Sequence, residues 1–251
     1  VAASSSIPDF ALEVVKKADS ITVLSGAGMS AESGVPTFRD AQTGLWERFD
    51  AAALATPEAW NRDPDFVWSW YMWRHHLVRA TAPHAGHLAL AQWEHSADVT
   101  IVTQNVDDLH ERAGSSHVHH LHGSLFHFRC AQCSFAYSDE VDDSEPHESP
   151  RPPPRCQRCG GQIRPDVVWF GEMLPSKPWE AGVQAVDSCD VLLVVGTSGL
   201  VYPAAGLPQI AHEKGIPTIE INPDETPLSR ECTVSLRMSA ATALPILARS
   251  R

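Results

Sequence analysis

The sequence predicts an α/β fold, a doubly wound parallel sheet that carries a smaller, cysteine-pinned domain as an insertion. Three observations predict it. Four short β-branched or apolar runs, at 21–24 (ITVL), 99–103 (VTIVT), 191–195 (VLLVV) and 218–221 (TIEI), each end in glycine or polar residues. Helix-patterned stretches separate three of these runs. Two CxxC pairs interrupt the pattern between the second run and the third.

Composition sets the outer limits. The chain has 251 residues, 43% hydrophobic and 20% charged, which is ordinary for a globular protein. Its formal net charge of −12 argues against a general affinity for nucleic acid or anionic membrane. No apolar run approaches the length of a membrane span. The first ten residues, VAASSSIPDF, lack the basic start and apolar core of a signal peptide, so a cytoplasmic location is expected.

Taken in order, residues 9–18 place Phe10, Val14 and Val15 at helical spacing, which gives a short first helix. The run at 21–24 reads as a strand buried on both faces. It leads directly into Gly26, Ala27 and Gly28 and a helix start at 29–32. Such a turn leaves backbone N–H groups free to hold a pyrophosphate. The same glycines also fit a plain tight strand–helix turn. Beyond them, SGVPTFR (33–39) sets an aromatic and an arginine on a proline-broken loop suited to covering a nucleotide. TPE at 56–58 supplies cap, first-turn proline and first-turn acid. Residues 66–77, FVWSWYMWRHHL, have aromatics around most of a helix and predict burial between layers or the lining of a pocket. A third helix is expected over 83–93.

The 99–103 strand ends in QNVDDLH (104–110), polar residues at the carboxyl end of a parallel strand, where open α/β sheets bind ligands. VHHL (118–121) is short and extended and delivers His122, Gly123 and Ser124. After the cysteine module, 164–172 (RPDVVWFGE) returns to the main domain. Residues 179–188 and 204–214 read as helices. One departure is plain. About 70 residues separate the glycines from the next clear strand, so any ribose must be held by groups other than the usual acid on a second strand.

Cys130 and Cys133 face Cys156 and Cys159 across 22 intervening residues, the spacing of a four-thiolate zinc site. Disulfides or a redox pair agree poorly with two matched CxxC units and no export signal. A closed thiolate shell has no open position, so the zinc would be structural. The acidic, proline-rich stretch 138–155 between the pairs reads as a mobile loop. Cys189 and Cys232, in apolar surroundings, read as small core hydrophobes.

The motifs GAGMSAESGVPTFR, TQNVDDLH, HGS, paired CxxC, VVWFGE, GTS and IN, in this order, resemble the sirtuins, NAD-dependent protein lysine deacylases. The resemblance runs from about residue 21 to 245. It implies one catalytic unit. A large Rossmann-like NAD-binding domain takes about 8–43, 80–125 and 163–251, and a smaller zinc-binding domain takes about 44–79 and 126–162. By the same resemblance, Gly26, Ala27 and Gly28 cradle the pyrophosphate, and Ala31, Glu32, Phe38 and Arg39 belong to the cofactor loop. Gln104, Asn105 and Asp107 line the nicotinamide and ribose pocket. Gly196, Thr197, Ser198 and Asn222 hold the adenosine half, with Ala240 near the adenine. Val168, Trp169, Phe170, Gly171 and Glu172 match a strand that pairs with a peptide carrying the acylated lysine, flanked by Leu200, Val201 and Tyr202.

His122 is the expected general base, because an imidazole titrates near working pH and can take a proton from a ribose hydroxyl. In sirtuins the acyl oxygen attacks the anomeric carbon of NAD as nicotinamide leaves. The products are free lysine, nicotinamide and 2′-O-acyl-ADP-ribose. Six histidines lie from His110 to His127, and a metal cluster is the competing reading there; His119 and His120 read as strand or surface residues.

Tyr71 and Arg74, three apart on one helix face, resemble the desuccinylase branch, where such a pair binds the carboxylate of a succinyl, malonyl or glutaryl group. Ala55 matches the small residue that leaves room for it. A snorkelling arginine beside a core tyrosine is the bland alternative. Rival functions are a plain deacetylase, a mono-ADP-ribosyltransferase and a zinc-ribbon nucleic-acid binder, the last opposed by the acidic balance. A monomer without membrane or nucleic-acid partners is expected.

Overall fold

The run ITVLS is apolar but for Thr22, whose hydroxyl donates to the Ala185 carbonyl at 2.9 Å, and the terminal Ser25, and it becomes the centre of the molecule. The computed structural model describes residues 7–37, 50–142 and 150–250. In chain order the main-sheet strands are β1 (Ser20–Ser25), β2 (Asp98–Thr103) and β3 (Val118–His120). The smaller sheet is built from β4 (Gly123–Cys130), β5 (Ala136–Tyr137) and β6 (Ile163–Val167). The chain then rejoins the main sheet through β7 (Val191–Val195), β8 (Thr218–Ile221) and β9 (Val234–Leu236). The order β3-β2-β1-β7-β8-β9 is parallel throughout. It reverses direction between β1 and β7, where an open sheet forms its ligand crevice.

Side chains alternate across this sheet with the strand period of two. Ile21, Val23, Ile101 and Leu193 pack on one face against α1 (Asp9–Lys17), α6 (Ala85–Trp93) and α10 (Ala240–Arg249). Leu24, Val102, Leu192 and Val194 pack on the other against α8 (Ser176–Ser188) and α9 (Leu207–Glu213). All five residues of β7 are buried. Each such side chain contributes about 1.5–3 kcal/mol, and truncating Leu193 to alanine is expected to cost about 2–5 kcal/mol.

A third cluster lies under the small sheet, whose antiparallel order is β5-β4-β6. It is roofed by α3 (Ala51–Leu54), α4 (Pro57–Arg62) and α5 (Pro64–Ala80). Asp63 starts α5 by accepting from the Phe66 N–H at 3.0 Å, with Pro64 in the first turn. Trp68, Trp70, Tyr71, Met72, Arg74 and His75 of α5 are all buried, so the aromatic helix lies between layers as its composition predicts. Pro165 is tolerated in β6 because that strand is an edge.

Two expectations change. The main sheet has six strands and not four, since β3 and β9 extend it at either end. Residues 168–172, expected as a strand, leave β6 and turn: the Glu172 N–H returns to the Trp169 carbonyl at 2.9 Å and Gly171 takes φ +87°. Of the 138–155 stretch, residues 143–149 lie outside the described residues. No described helix is long and apolar enough to cross a membrane.

Candidate active site

Two strand-end turns meet at the reversal point. The Gly26 N–H bonds to the Val195 carbonyl at 2.9 Å, and the Gly28 N–H to the Gly196 carbonyl at 2.8 Å. Gly196 has φ +59°, and a Cβ there would stand 2.3 Å from the Met29 nitrogen. The glycine turn therefore serves two ends. It opens α2 (Gly28–Ala31), and it lets two loops pack backbone to backbone. Above it lies a cavity of about 1040 Å³, large enough for a dinucleotide together with a side chain from a second molecule.

The loop after β2 forms the far wall. Asn105 donates from Nδ2 to the Ser30 hydroxyl at 3.1 Å, and Ser30 donates in turn to Asp107 at 2.9 Å. Burial raises the Asp107 carboxyl, while the bonds from Ser30 and the Leu109 N–H oppose the rise. Gln104 donates to the Thr197 hydroxyl at 3.0 Å, and Asn222 to the Thr197 carbonyl at 3.1 Å. Four strand ends are thus tied into one rim. Glu32 lines the cavity too, and its carboxylate accepts from Ala241 N–H at 2.9 Å in the first turn of α10, beside Ala240.

His122 follows β3 and precedes Gly123, whose φ of +75° and contact with Asp166 exclude any side chain. Its Nδ1 lies 2.9 Å from the Gln104 carbonyl. A carbonyl can only accept, so Nδ1 carries the hydrogen and Nε2 keeps its lone pair. Burial lowers the imidazole from its ordinary range, with the carbonyl bond partly opposing it. The ring is neutral at pH 7 and equipped to accept a proton.

The remaining wall comes from α5 and the 168–172 turn. Arg74 is buried and lines the cavity; among the described lining residues it is the sole lysine or arginine. Its guanidinium lies 5.3 Å from the Trp70 ring centre. Ala55 leaves space beside it, and its carbonyl accepts from the Phe170 N–H at 2.9 Å. Tyr71 does not line the cavity alongside Arg74. It is buried behind Trp169, whose indole N–H donates to the tyrosine oxygen at 2.9 Å. Trp169 is fixed in turn by Arg164, which stacks 3.1 Å from the indole centre and forks onto Glu172 at 2.6 and 2.9 Å. Val168, Phe170 and Gly171 line the mouth with Leu200, Val201 and Tyr202. Four of these mouth side chains stand exposed: Phe170, Leu200, Val201 and Tyr202.

Sequence reasoning therefore placed Gly26, Ala27, Gly28, Ala31, Glu32, Gln104, Asn105, Asp107, Gly196, Thr197, Ser198, Asn222 and Ala240 around one cavity with His122. Phe38 and Arg39 lie outside the described residues. Ser30 and Arg164 were missed. Ser30 stands inside GAGMS, where a hydroxyl two residues past the glycines was the available signal.

The cysteines form a separate centre. Their four Sγ atoms lie within 4.8 Å of one another, with Cys130–Cys159 at 3.5 Å and Cys133–Cys156 at 3.8 Å. Those separations are far too long for disulfides. Thiolates at about 2.3 Å from a tetrahedral zinc stand about 3.8 Å apart, so the tetrad fits one structural zinc ion. Backbone N–H groups of Gln132, Arg158 and Gly161 approach three of the sulfurs at 3.4 Å, which suits thiolate charge. Among the described residues no second group of this kind is present, so the histidines are not a metal cluster.

Comparison with known proteins agrees with this geometry. The Sir2 family model matches residues 26–203. An NAD-dependent protein deacylase of Mycobacterium tuberculosis is 57% identical over 225 residues, covering 90% of this chain and 94% of that protein. The crystal structure of a Sir2 homolog–NAD complex superposes with a TM-score of 0.89 at 44% identity, over 98% of this chain and 94% of that one. Sir2Tm bound to a propionylated peptide superposes at 0.81 with 26% identity, over 96% of each chain. The glycine turn, the polar strand ends, the histidine and the cysteine tetrad thus have one common explanation: this chain belongs to the Sir2 family.

Proposed function

We propose that the chain is an NAD-dependent protein lysine deacylase that removes succinyl and malonyl groups as well as acetyl groups. The relatives named as deacylases and the neighbours solved with NAD or with an acylated peptide support the general activity. NAD, when bound, supplies the sugar carbon that receives the acyl oxygen. The chain's own groups do the rest. The turn at Gly26, Ala27 and Gly28 lets the backbone approach the pyrophosphate closely, although the Gly26 and Gly28 N–H groups are already given to the Val195 and Gly196 carbonyls, and Gly196, Thr197, Ser198, Asn222 and Ala240 surround the adenosine half. Gln104, Asn105 and Asp107 orient the nicotinamide and its ribose. His122 takes a proton at Nε2 from the ribose hydroxyl, and its neutral state and fixed tautomer suit that task. The acylated lysine enters beside 168–172 and Leu200 to Tyr202, whose exposed apolar side chains favour an extended peptide.

The acidic-acyl preference is carried by one observation: a buried guanidinium faces a cavity that among its described lining residues has no other lysine or arginine. A carboxylate is the partner such a group recognises best. Tyr71 holds Trp169 in the wall of the same cavity and does not itself face it. The zinc tetrad holds the small domain folded and takes no part in the chemistry. Steady-state kcat/KM on matched acetyl-, succinyl- and malonyl-lysine peptides tests the preference. Acidic acyl chains are expected to turn over at least as fast as acetyl. A marked advantage for acetyl makes the protein a plain deacetylase.

A further inference from the structure

His120 stands two residues before the general base and is bonded differently. Its Nδ1 lies 2.9 Å from the Asn105 carbonyl and its Nε2 lies 2.6 Å from the Glu111 carboxylate. A carbonyl and a carboxylate can only accept, so both ring nitrogens carry hydrogens. The last residue of β3 and the residue two beyond it thus hold the consecutive carbonyls of Asn105 and Gln104, the first with a cation and the second with a neutral ring.

We propose that His120 is a positioning residue of the cofactor pocket, which, clamped as a cation by Glu111, donates to the Asn105 carbonyl and so fixes the Asn105–Asp107 loop. The proposal rests on the assignment of Asn105 and Asp107 to NAD. Every charged neighbour points the same way. Glu111 from α7 (Leu109–Ala113) and Asp107 from the loop after β2 both favour the cation. Burial alone would push the His120 ring down, but these partners and the Asn105 carbonyl hold it above the ordinary histidine range. His110 from α7 and His119 from the same strand are both lowered by burial, so neither competes for the charge. Removing the cation should weaken the bond to the Asn105 carbonyl and loosen the Asn105–Asp107 loop.

Glu111→Gln separates charge from bonding. A glutamine can donate to Nε2 of a neutral ring, so both bonds to His120 survive while the cation is lost. With full-length, zinc-loaded protein, the NAD dissociation constant is measured by calorimetry from pH 6 to 9. Because the ring's pKa is raised, the cation is complete at low pH and disappears as pH rises through that value. Wild type should therefore bind NAD more weakly toward the alkaline end. Glu111→Gln should bind about five- to tenfold more weakly at pH 6.5, where a charge-assisted bond to the Asn105 carbonyl gives way to a neutral one, with kcat at saturating NAD changed little. His120→Gln should do the same. Glu111→Gln binding as wild type while His120→Gln fails would reduce His120 to a structural peg and overturn the proposal. Imidazole nitrogen resonances of wild type read the state directly: two protonated nitrogens at pH 6.5 support it, and a neutral ring overturns it without recourse to any variant. If Asn105→Ala and Asp107→Asn bind NAD normally, the assignment of the pocket fails, which is a separate outcome.

Discussion

Gly196→Ala attacks the contact between the two strand-end turns. The new Cβ would lie 2.3 Å from the Met29 nitrogen and 2.4 Å from the Gly28 carbonyl carbon, both backbone atoms that cannot rotate away. The residue also holds φ +59°, a left-handed conformation that costs an alanine about 1–2 kcal/mol. Overpacking adds about 1–3 kcal/mol, so roughly 2–5 kcal/mol should be lost in total. For a chain of this size that lowers Tm by about 4–20 °C. Gly215→Ala is the control. Gly215 has φ +69° with nothing within 4 Å of the new methyl, so only the conformational cost applies, about 2–8 °C. Thermal melting of the zinc-loaded protein gives the stabilities, and calorimetric titration gives NAD affinity. Gly196→Ala should lose NAD binding because the glycine turn is pushed off its seat; Gly215→Ala should keep it. A Gly196→Ala protein that melts no lower than the control and binds NAD normally would refute the packing argument.

Other consequences follow from the same structure. Arg74→Met should lower kcat/KM on succinyl peptides by about ten- to a hundredfold, the value of a charge-assisted bond, while acetyl peptides change less than about threefold; equal losses on matched peptides would remove the carboxylate assignment. Chelating the zinc should unpair β4 and β6, seen as lost amide protection at 123–130 and 163–167, with the main sheet kept. Glu220 is buried in β8 and accepts from Ser235, Thr226, Ser229 and Arg237. Burial alone would raise its carboxyl, yet these donors hold it below its ordinary range. Its stabilising share is present above the unfolded value near pH 4.3 and is lost as pH falls through the lower folded value. Glu220→Gln should flatten that acid limb in pH-dependent melting and cost about 1–3 kcal/mol at neutral pH.

What the sequence disclosed, and what it withheld, divides along physical lines. The strands β1 and β7 were plain because a segment buried on both faces has no choice but unbroken apolar residues. The cysteine tetrad was plain because metal geometry dictates spacing. β3 was legible as a short extended segment but not as a sheet member, and β9, three residues long, is too short for any period to register; sheet membership comes to both from neighbours. α10 was hidden by Pro245, a helix breaker in its middle. VVWFGE has strand propensity, but the Arg164 fork on Glu172 and the bond from Trp169 N–H to the same carboxylate fold it back on itself. The placing of Tyr71 behind Trp169 joins residues 98 apart in the chain, and helical spacing alone could not have foreseen it.

The most direct test of the whole account is mass spectrometry of a succinyl-lysine peptide incubated with the enzyme, with and without NAD. Loss of the succinyl mass only when NAD is present, together with nicotinamide and a succinyl-ADP-ribose product, and none of these with His122→Ala, is the predicted result. Desuccinylation that proceeds without NAD, or that persists undiminished in His122→Ala, would contradict it.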